Sequence, residues 1–324
     1  MKDEFSKYCK NVYVDKFYDV FAFYPGNGKS KRTLLVTAHQ DNVGMLVTKV
    51  ENGFLRITKI SGIDPKILPG QEVVVYGKKE IPGIVGSTPP HLAENNKEKK
   101  SDFKDLYVDI GAENEAYVKV GDLIGFKPGG KQLLNDVFTS PFLDDRCCIY
   151  ALAELAAKLK EADHDCNIIL AAVSGEETFS LGAKVSSAVC TQEQPLDCAL
   201  VLDVTFGKTS EIEEGKAFRL GDGVVLTMAP SLDRRVVGKL KSIMDAVRIP
   251  YNIEVDSSGN SSDAWALQVS GGGIPCALLS VPIRYMHTPV ETVNYRDLTN
   301  CISSCEAFCK MNYEEAEAML CWDF

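Results

Sequence analysis

No run of apolar residues in this 324-residue chain approaches the ~20 needed to cross a bilayer, which excludes a membrane-spanning helix. The start, MKDEFSKYCK, lacks the apolar segment of a secretory signal. Positive charge is also short: 35 Lys and Arg face 45 Asp and Glu, giving a net charge of −10 and a pI near 5.1. Phosphate backbones are held by basic surfaces, so nucleic acid is excluded as a partner. None of the eleven cysteines falls in a CxxC pair, and their odd number excludes complete intrachain disulfide pairing. A reduced, cytoplasmic protein is expected. Histidine is scarce, with only His39, His91, His164 and His287.

What is present is a set of short apolar runs followed by metal-ligand residue types. TLLVTA precedes His39, NIILAAV precedes Glu177, CALVL precedes Asp203 and CALLSV precedes His287. In an open α/β sheet, ligands bind outside the carboxyl ends of parallel strands, so residues distant in sequence would meet there. Between residues 43 and 128 the texture changes to short alternating runs (MLVTKV, FLRITKI, EVVVYG, EAYVKV) broken by Gly, Pro and Asn. That spacing predicts a small β-barrel or sandwich inserted into an α/β domain made of residues 1–42 and 129–324. AENNKEKKSDFKD within it reads as a charged loop.

From residue 131 onward strands alternate with helices, which implies a mainly parallel sheet. Ile149, Leu152, Leu155, Ala156 and Leu159 follow a helical period after Asp144. A second helix is predicted over 231–247 with Ser231 as its N-cap, and a last one over 296–320. Cys301, Cys305 and Cys309 share one face of that last helix, roughly continued by Cys321. Thiolates on a single helix cannot wrap a tetrahedral cation without a ligand from elsewhere, so core packing is expected for them, as for Cys147 and Cys148.

TAHQDNVG puts Asp41 two residues after His39, where a carboxylate can fix the imidazole tautomer. A strand-end His bonded only to backbone is the plainer alternative. FLDDR places Asp144 and Asp145 at a helix entrance; one suits an N-cap, Arg146 could pair with Asp145 and neutralise it, and Asp144 could bridge two cations with its two oxygens. In SGEET, adjacent glutamates after a buried strand would repel unless a cation or proton held them. A division of labour follows, with Glu177 on metal and Glu176 as general base. Asp203 ends an apolar strand, where an unpaired charge is costly. His164, in KEADHDCN, reads as a surface residue, and His91 lies in the β insert.

Together the segments TAHQDNVG, FLDDR, SGEETFSLGA, LDVT, SSDA and VPIRYMHTPVETV resemble, in order, the M42 family of metallo-aminopeptidases, as do GIVGSTPPHL and DFKDLYVDIGAENEAYVKVGDLI in the insert. The resemblance spans nearly the whole chain. It implies a Zn-peptidase αβα sandwich interrupted by a PDZ-like β domain that makes dimer contacts, with homodimers assembling into a homododecamer. It also implies two divalent ions, zinc or cobalt and less commonly manganese. One would be held by His39 and Asp203 and the other by Glu177 and His287, with Asp144 bridging, Asp41 supporting and Glu176 as base. The implied activity is release of N-terminal residues from short peptides; a deacylase or glycosidase on the same scaffold is the alternative. The chain departs from the family pattern at Asn42, normally acidic, at SSGNSSDA in place of a Gly-rich run, and in having little ahead of the first strand.

Overall fold

The computed structural model describes residues 1–88, 102–186, 195–210, 212, 215–257 and 262–321. His91 and most of the charged loop of the insert lie outside the described residues. Among those described, the strands are β1 (Val12–Val14), β2 (Val20–Tyr24), β3 (Thr33–His39), β4 (Gly44–Glu51), β5 (Phe54–Ile60), β6 (Glu72–Tyr76), β7 (Glu80–Ser87), β8 (Leu106–Asp109) and β9 (Leu123–Phe126). They continue with β10 (Lys131–Gln132), β11 (Val137–Thr139), β12 (Asn167–Val173), β13 (Cys198–Phe206), β14 (Val224–Met228), β15 (Tyr251–Val255), β16 (Cys276–Arg284) and β17 (Thr292–Asn294). The helices are α1 (Lys2–Phe5), α2 (Leu143–Leu159), α3 (181–186), α4 (Arg234–Val247), α5 (Asp263–Gln268), α6 (Tyr295–Cys309) and α7 (Tyr313–Leu320).

An eleven-stranded sheet runs in the order β1-β2-β12-β3-β13-β16-β17-β11-β10, with β14 and β15 branching from β16. Its centre is parallel: β12 with β3, β3 with β13, and β13 with β16. The pairs flanking it are antiparallel, whereas β14 and β15 pair parallel with each other. Central strands such as β3 are buried along their whole length, which accounts for their unbroken apolar runs. Helices α2, α4 and α6 pack on one another and on β3, β13 and β16, while α5 packs on β13 and β16. Strands β4 to β9 close into a separate antiparallel barrel with its own buried cluster around Met45, Leu55, Ile81 and Phe126. The fold is therefore an α/β sandwich interrupted by a small β-barrel.

Local expectations fare unevenly. Cys301, Cys305 and Cys309 are fully buried with Cys148 in the main core, but Cys321 is exposed and off that stripe. The helix expected from Ser231 starts later, because Asp233 accepts hydrogen bonds from the Arg235 and Val236 N–H groups and is the real cap. The single helix expected over 296–320 is two: Asn312 and Glu315 form a capping box that starts α7 afresh. His164 is buried rather than at the surface; its Nδ1 lies 2.7 Å from the Cys166 carbonyl oxygen in the turn between α2 and β12.

Candidate functional site

Because β3, β12, β13 and β16 run parallel, their carboxyl ends lie along one edge. His39 ends β3 opposite Val173 of β12, and Ser174 to Glu177 follow directly. Asp203 lies in β13 beside Ser280 of β16, whose continuation carries His287. The loop after β11 adds Asp144. These five side chains converge. Asp144 Oδ1 lies 3.1 Å from His39 Nε2, and its Oδ2 lies 3.2 Å from His287 Nε2. His39 Nε2 is 4.0 Å from Asp203 Oδ1, and His287 Nε2 is 3.6 Å from Glu177 Oε1. The result is two donor sets that share Asp144: His39, Asp144 and Asp203, and Asp144, Glu177 and His287, with ligand atoms in each within 4.8 Å of one another.

Other residues hold these donors in place. Asp41 Oδ1 is 3.5 Å from His39 Nδ1, an electrostatic contact rather than a hydrogen bond. The same carboxylate accepts the N–H groups of Glu176 (3.1 Å) and Glu177 (3.2 Å), so it anchors the glutamate turn as well. That turn begins at Gly175, whose φ of +76° suits glycine. Glu291 is buried and clamps two ligand backbones: Oε2 accepts the Asp144 N–H at 3.0 Å and Oε1 the His287 N–H at 2.6 Å. His287 sits at φ +62°, an uncommon conformation for a non-glycine residue, which this clamp supports.

The segment leaving the barrel also reaches in. Ser61 Oγ donates to Glu177 Oε2 at 2.5 Å, and the Gly62 carbonyl accepts from His287 Nδ1 at 3.3 Å, leaving Nε2 to face Asp144. A Cβ at Gly62 would stand 2.6 Å from His287 Nδ1, so only glycine fits this approach.

Carboxylates outnumber cations here, and the ionisations reflect it. Burial, with Asp203 next, pushes Glu176 up to about 9. Burial likewise raises Asp203 to about 7 against the pull of His39. Burial opposes ionisation of Asp144, but His287 and His39 hold it down at about 2. Burial works against a charged His287, yet Asp144 and Glu177 hold it up at about 9; His39 is raised well above its ordinary value by Asp144 and Asp41 in the same way. Protonated imidazoles thus do the neutralising. Glu177 Oε1 is buried without a hydrogen-bond partner. Imidazole and carboxylate donors of this number, with one carboxylate shared and an acceptor left unpaired, fit a pair of divalent cations.

A model of the M42 glutamyl aminopeptidase family matches residues 19–303. The chain belongs to the M42 peptidase family. The lysyl aminopeptidase of Pyrococcus furiosus is 32% identical over 306 residues, covering 91% of this chain and 86% of that protein. The TET aminopeptidase of Thaumarchaeota archaeon SCGC AB-539-E09 superposes with a TM-score of 0.90 at 27% identity, covering 98% of this chain and 91% of that one. The TET1 peptidase of Pyrococcus horikoshii, described as assembling into a tetrahedron or a large octahedral shell, superposes at 0.81 with 28% identity, covering 95% and 91%.

Within this M42 chain the structure revises two sequence readings and accounts for one departure. Asp144 does not open a helix: it and Asp145 have non-helical backbone, joined by a cis peptide, and the regular turns begin after them. Arg146 does not neutralise Asp145; its Nη2 donates to Asn42 Oδ1 at 2.9 Å, while burial pushes the enclosed Asp145 carboxyl well up. Asn42, where the family pattern is acidic, uses its amide to donate to the Asp144 carbonyl at 3.1 Å, a bond that an ionised acid could not make. Asp145, Cys147 and Cys148 form a further buried group of ligand type, but burial raises both thiols, so it packs as neutral core. Ser61, Gly62 and Glu291 had no sequence signal as site residues. Their partners lie far along the chain, save that Glu291 also meets His287 four residues before it.

Proposed function

We propose that this M42 protein is a two-metal aminopeptidase that releases N-terminal residues from short peptides. The observation that carries the reading is Asp144, with one oxygen toward each histidine. His39 and Asp203 would hold one cation, Glu177 and His287 the other, and Asp144 both; zinc, cobalt or manganese suits such donors. When bound there, two divalent cations polarise the scissile carbonyl and acidify the attacking water.

The chain's own residues then do the proton work. Glu176, at the end of the turn that Asp41 anchors, takes the proton as water adds to the carbonyl carbon. It returns that proton to the leaving nitrogen as the C–N bond breaks. It can act as a base once the negative charge of Asp203 and Glu177 is compensated, since those charges help to raise it. The free α-ammonium of a substrate is attracted by the same carboxylates, which favours cleavage at the chain end. Asp144, Glu176, Glu177, Asp203 and His287 line a cavity of about 900 Å³ that can receive the peptide end.

The named relatives, a lysyl aminopeptidase and TET aminopeptidases, support this reading. The shells formed by the TET1 peptidase support a homo-oligomer; within it, residues 43–128 would pair copies into dimers that build a dodecamer, in the cytoplasm. Phe54, Tyr76, Ile84 and Leu123, exposed on the barrel strands, suit such a contact. Hydrolysis of aminoacyl p-nitroanilides but not of their N-acetylated forms, with activity lost to a chelator, is the expected result. Cleavage of N-acyl amino acids or cellulosic oligomers alone would refute it.

A further inference from the structure

The cavity beside the metal donors has a second end that the aminopeptidase chemistry does not use. Register places Asp203 opposite Ser280, Ser280 opposite Val225, and Thr227, two residues on, opposite Glu254. Side chains alternate along strands, so Asp203, Thr205, Ser280, Thr227 and Glu254 all project from one face of the sheet. Glu254 lines the same cavity as Asp144, Glu177, Asp203 and His287, and Leu278, Met286 and one cation, Lys216, are also in its wall. Its carboxylate is held from both sides: Thr205 Oγ1 donates to Oε1 at 3.0 Å and Thr227 Oγ1 donates to Oε2 at 3.1 Å.

Hydroxyl donors orient a carboxylate without cancelling its charge. Each oxygen keeps a further lone pair for another donor. Among the described residues, no lysine or arginine nitrogen forms an ion pair with Glu254 within 4.0 Å. A half-buried carboxylate of this kind gains most from a cation that arrives with the substrate. Thr205, which touches Glu254, stands two residues along β13 from Asp203, about 6.6 Å at the rise of a parallel strand. That span matches the reach of a lysine side chain.

We propose that Glu254 is the specificity-determining residue of this cavity and selects substrates whose N-terminal residue is lysine or arginine. The α-amine and scissile bond sit at the metal donors, the aliphatic stem lies over Leu278 and Met286, and the cationic head is received by Glu254. The neighbouring cavity, which carries Lys208, Arg219 and Arg284, has none of the metal donors in its wall. Arg284 Nε is committed to the Lys208 carbonyl at 2.7 Å.

The assignment rests on the aminopeptidase reading, and one panel separates the two. The metal-supplemented protein is assayed with lysyl, arginyl, leucyl and glutamyl p-nitroanilides, and so is Glu254→Gln. The wild type should favour the two basic substrates in kcat/KM, and E254Q should lower the lysyl-to-leucyl ratio by on the order of tenfold or more. Competition on the wild type needs no variant to fold: L-lysine amide should inhibit leucyl anilide cleavage more strongly than L-glutamine amide. Turnover with no basic preference, a glutamyl preference, or equal loss on all substrates in E254Q would overturn the role of Glu254 alone. No turnover of any anilide would remove the aminopeptidase reading, and this assignment with it.

Discussion

Four of the five metal-type donors reach the centre from the carboxyl ends of sheet strands, whereas the barrel supplies two small groups, the Ser61 hydroxyl and the Gly62 carbonyl. The sheet contributes chemistry through position: parallel pairing aligns the ends of β3, β12, β13 and β16 whatever their distance in sequence. The barrel contributes orientation. It has its own core and closes on itself, yet the segment leaving β5 fixes which nitrogen of His287 faces Asp144. An inserted domain can therefore shape a candidate metal centre without offering a donor to it.

The sharpest break on the sheet side is Glu176→Gln. It keeps the size of the side chain and removes the proposed base, so kcat should fall about 10²- to 10⁴-fold with metal content unchanged. Steady-state kinetics with metal analysis on the same sample checks this, and retained activity would reassign the proton. On the barrel side, Gly62→Ala should push His287 away, since the added Cβ would meet its Nδ1 at 2.6 Å. Loss of such a supporting contact typically weakens metal binding by about 10- to 100-fold, measurable by competition with a chromophoric chelator.

A third test is the pH dependence of the metal-free protein. Glu176 and His287 are both raised to about 9 from ordinary values of 4.5 and 6.5. A raised group gives stability that is complete below its ordinary pKa and lost as pH climbs to the folded one. Both lie in that interval between about pH 6.5 and 9, so the Tm of chelator-treated protein should fall across it. A rising Tm there would contradict the charge balance described. Smallest is Gly129→Ala, beside the point where the chain returns from barrel to sheet. A Cβ there meets nothing within 4 Å, and stability should change by no more than about 0.5 kcal/mol, read from thermal or denaturant melts.

These contrasts also explain what was legible in the sequence. His39, Glu177, Asp203 and His287 could be found because buried strands leave continuous apolar runs, and the residue just past such a run has a known place. Three of the alternating runs between 43 and 128 disclosed barrel strands by the same logic, whereas EAYVKV folds in part as a 3₁₀ turn over Ala112–Tyr117 and adds no strand. Glu291, Ser61 and Gly62 left no such trace, and Asn42 stood out only as a departure from the family pattern. Their significance lies in contacts to Asp144, Glu177 and His287 that no local period encodes. Helix ends failed for a related reason: Ser231 and Asp233 are both acceptable caps, and only the tertiary fold selects Asp233. The same holds for His164, polar in its sequence neighbourhood but enclosed by the turn around it.

Anomalous diffraction at the zinc edge, from crystals grown with zinc, tests the shared-carboxylate centre most directly. Two peaks per chain are predicted, one among His39, Asp144 and Asp203 and one among Asp144, Glu177 and His287. A single peak, or peaks that leave Asp144 uncoordinated, would contradict it.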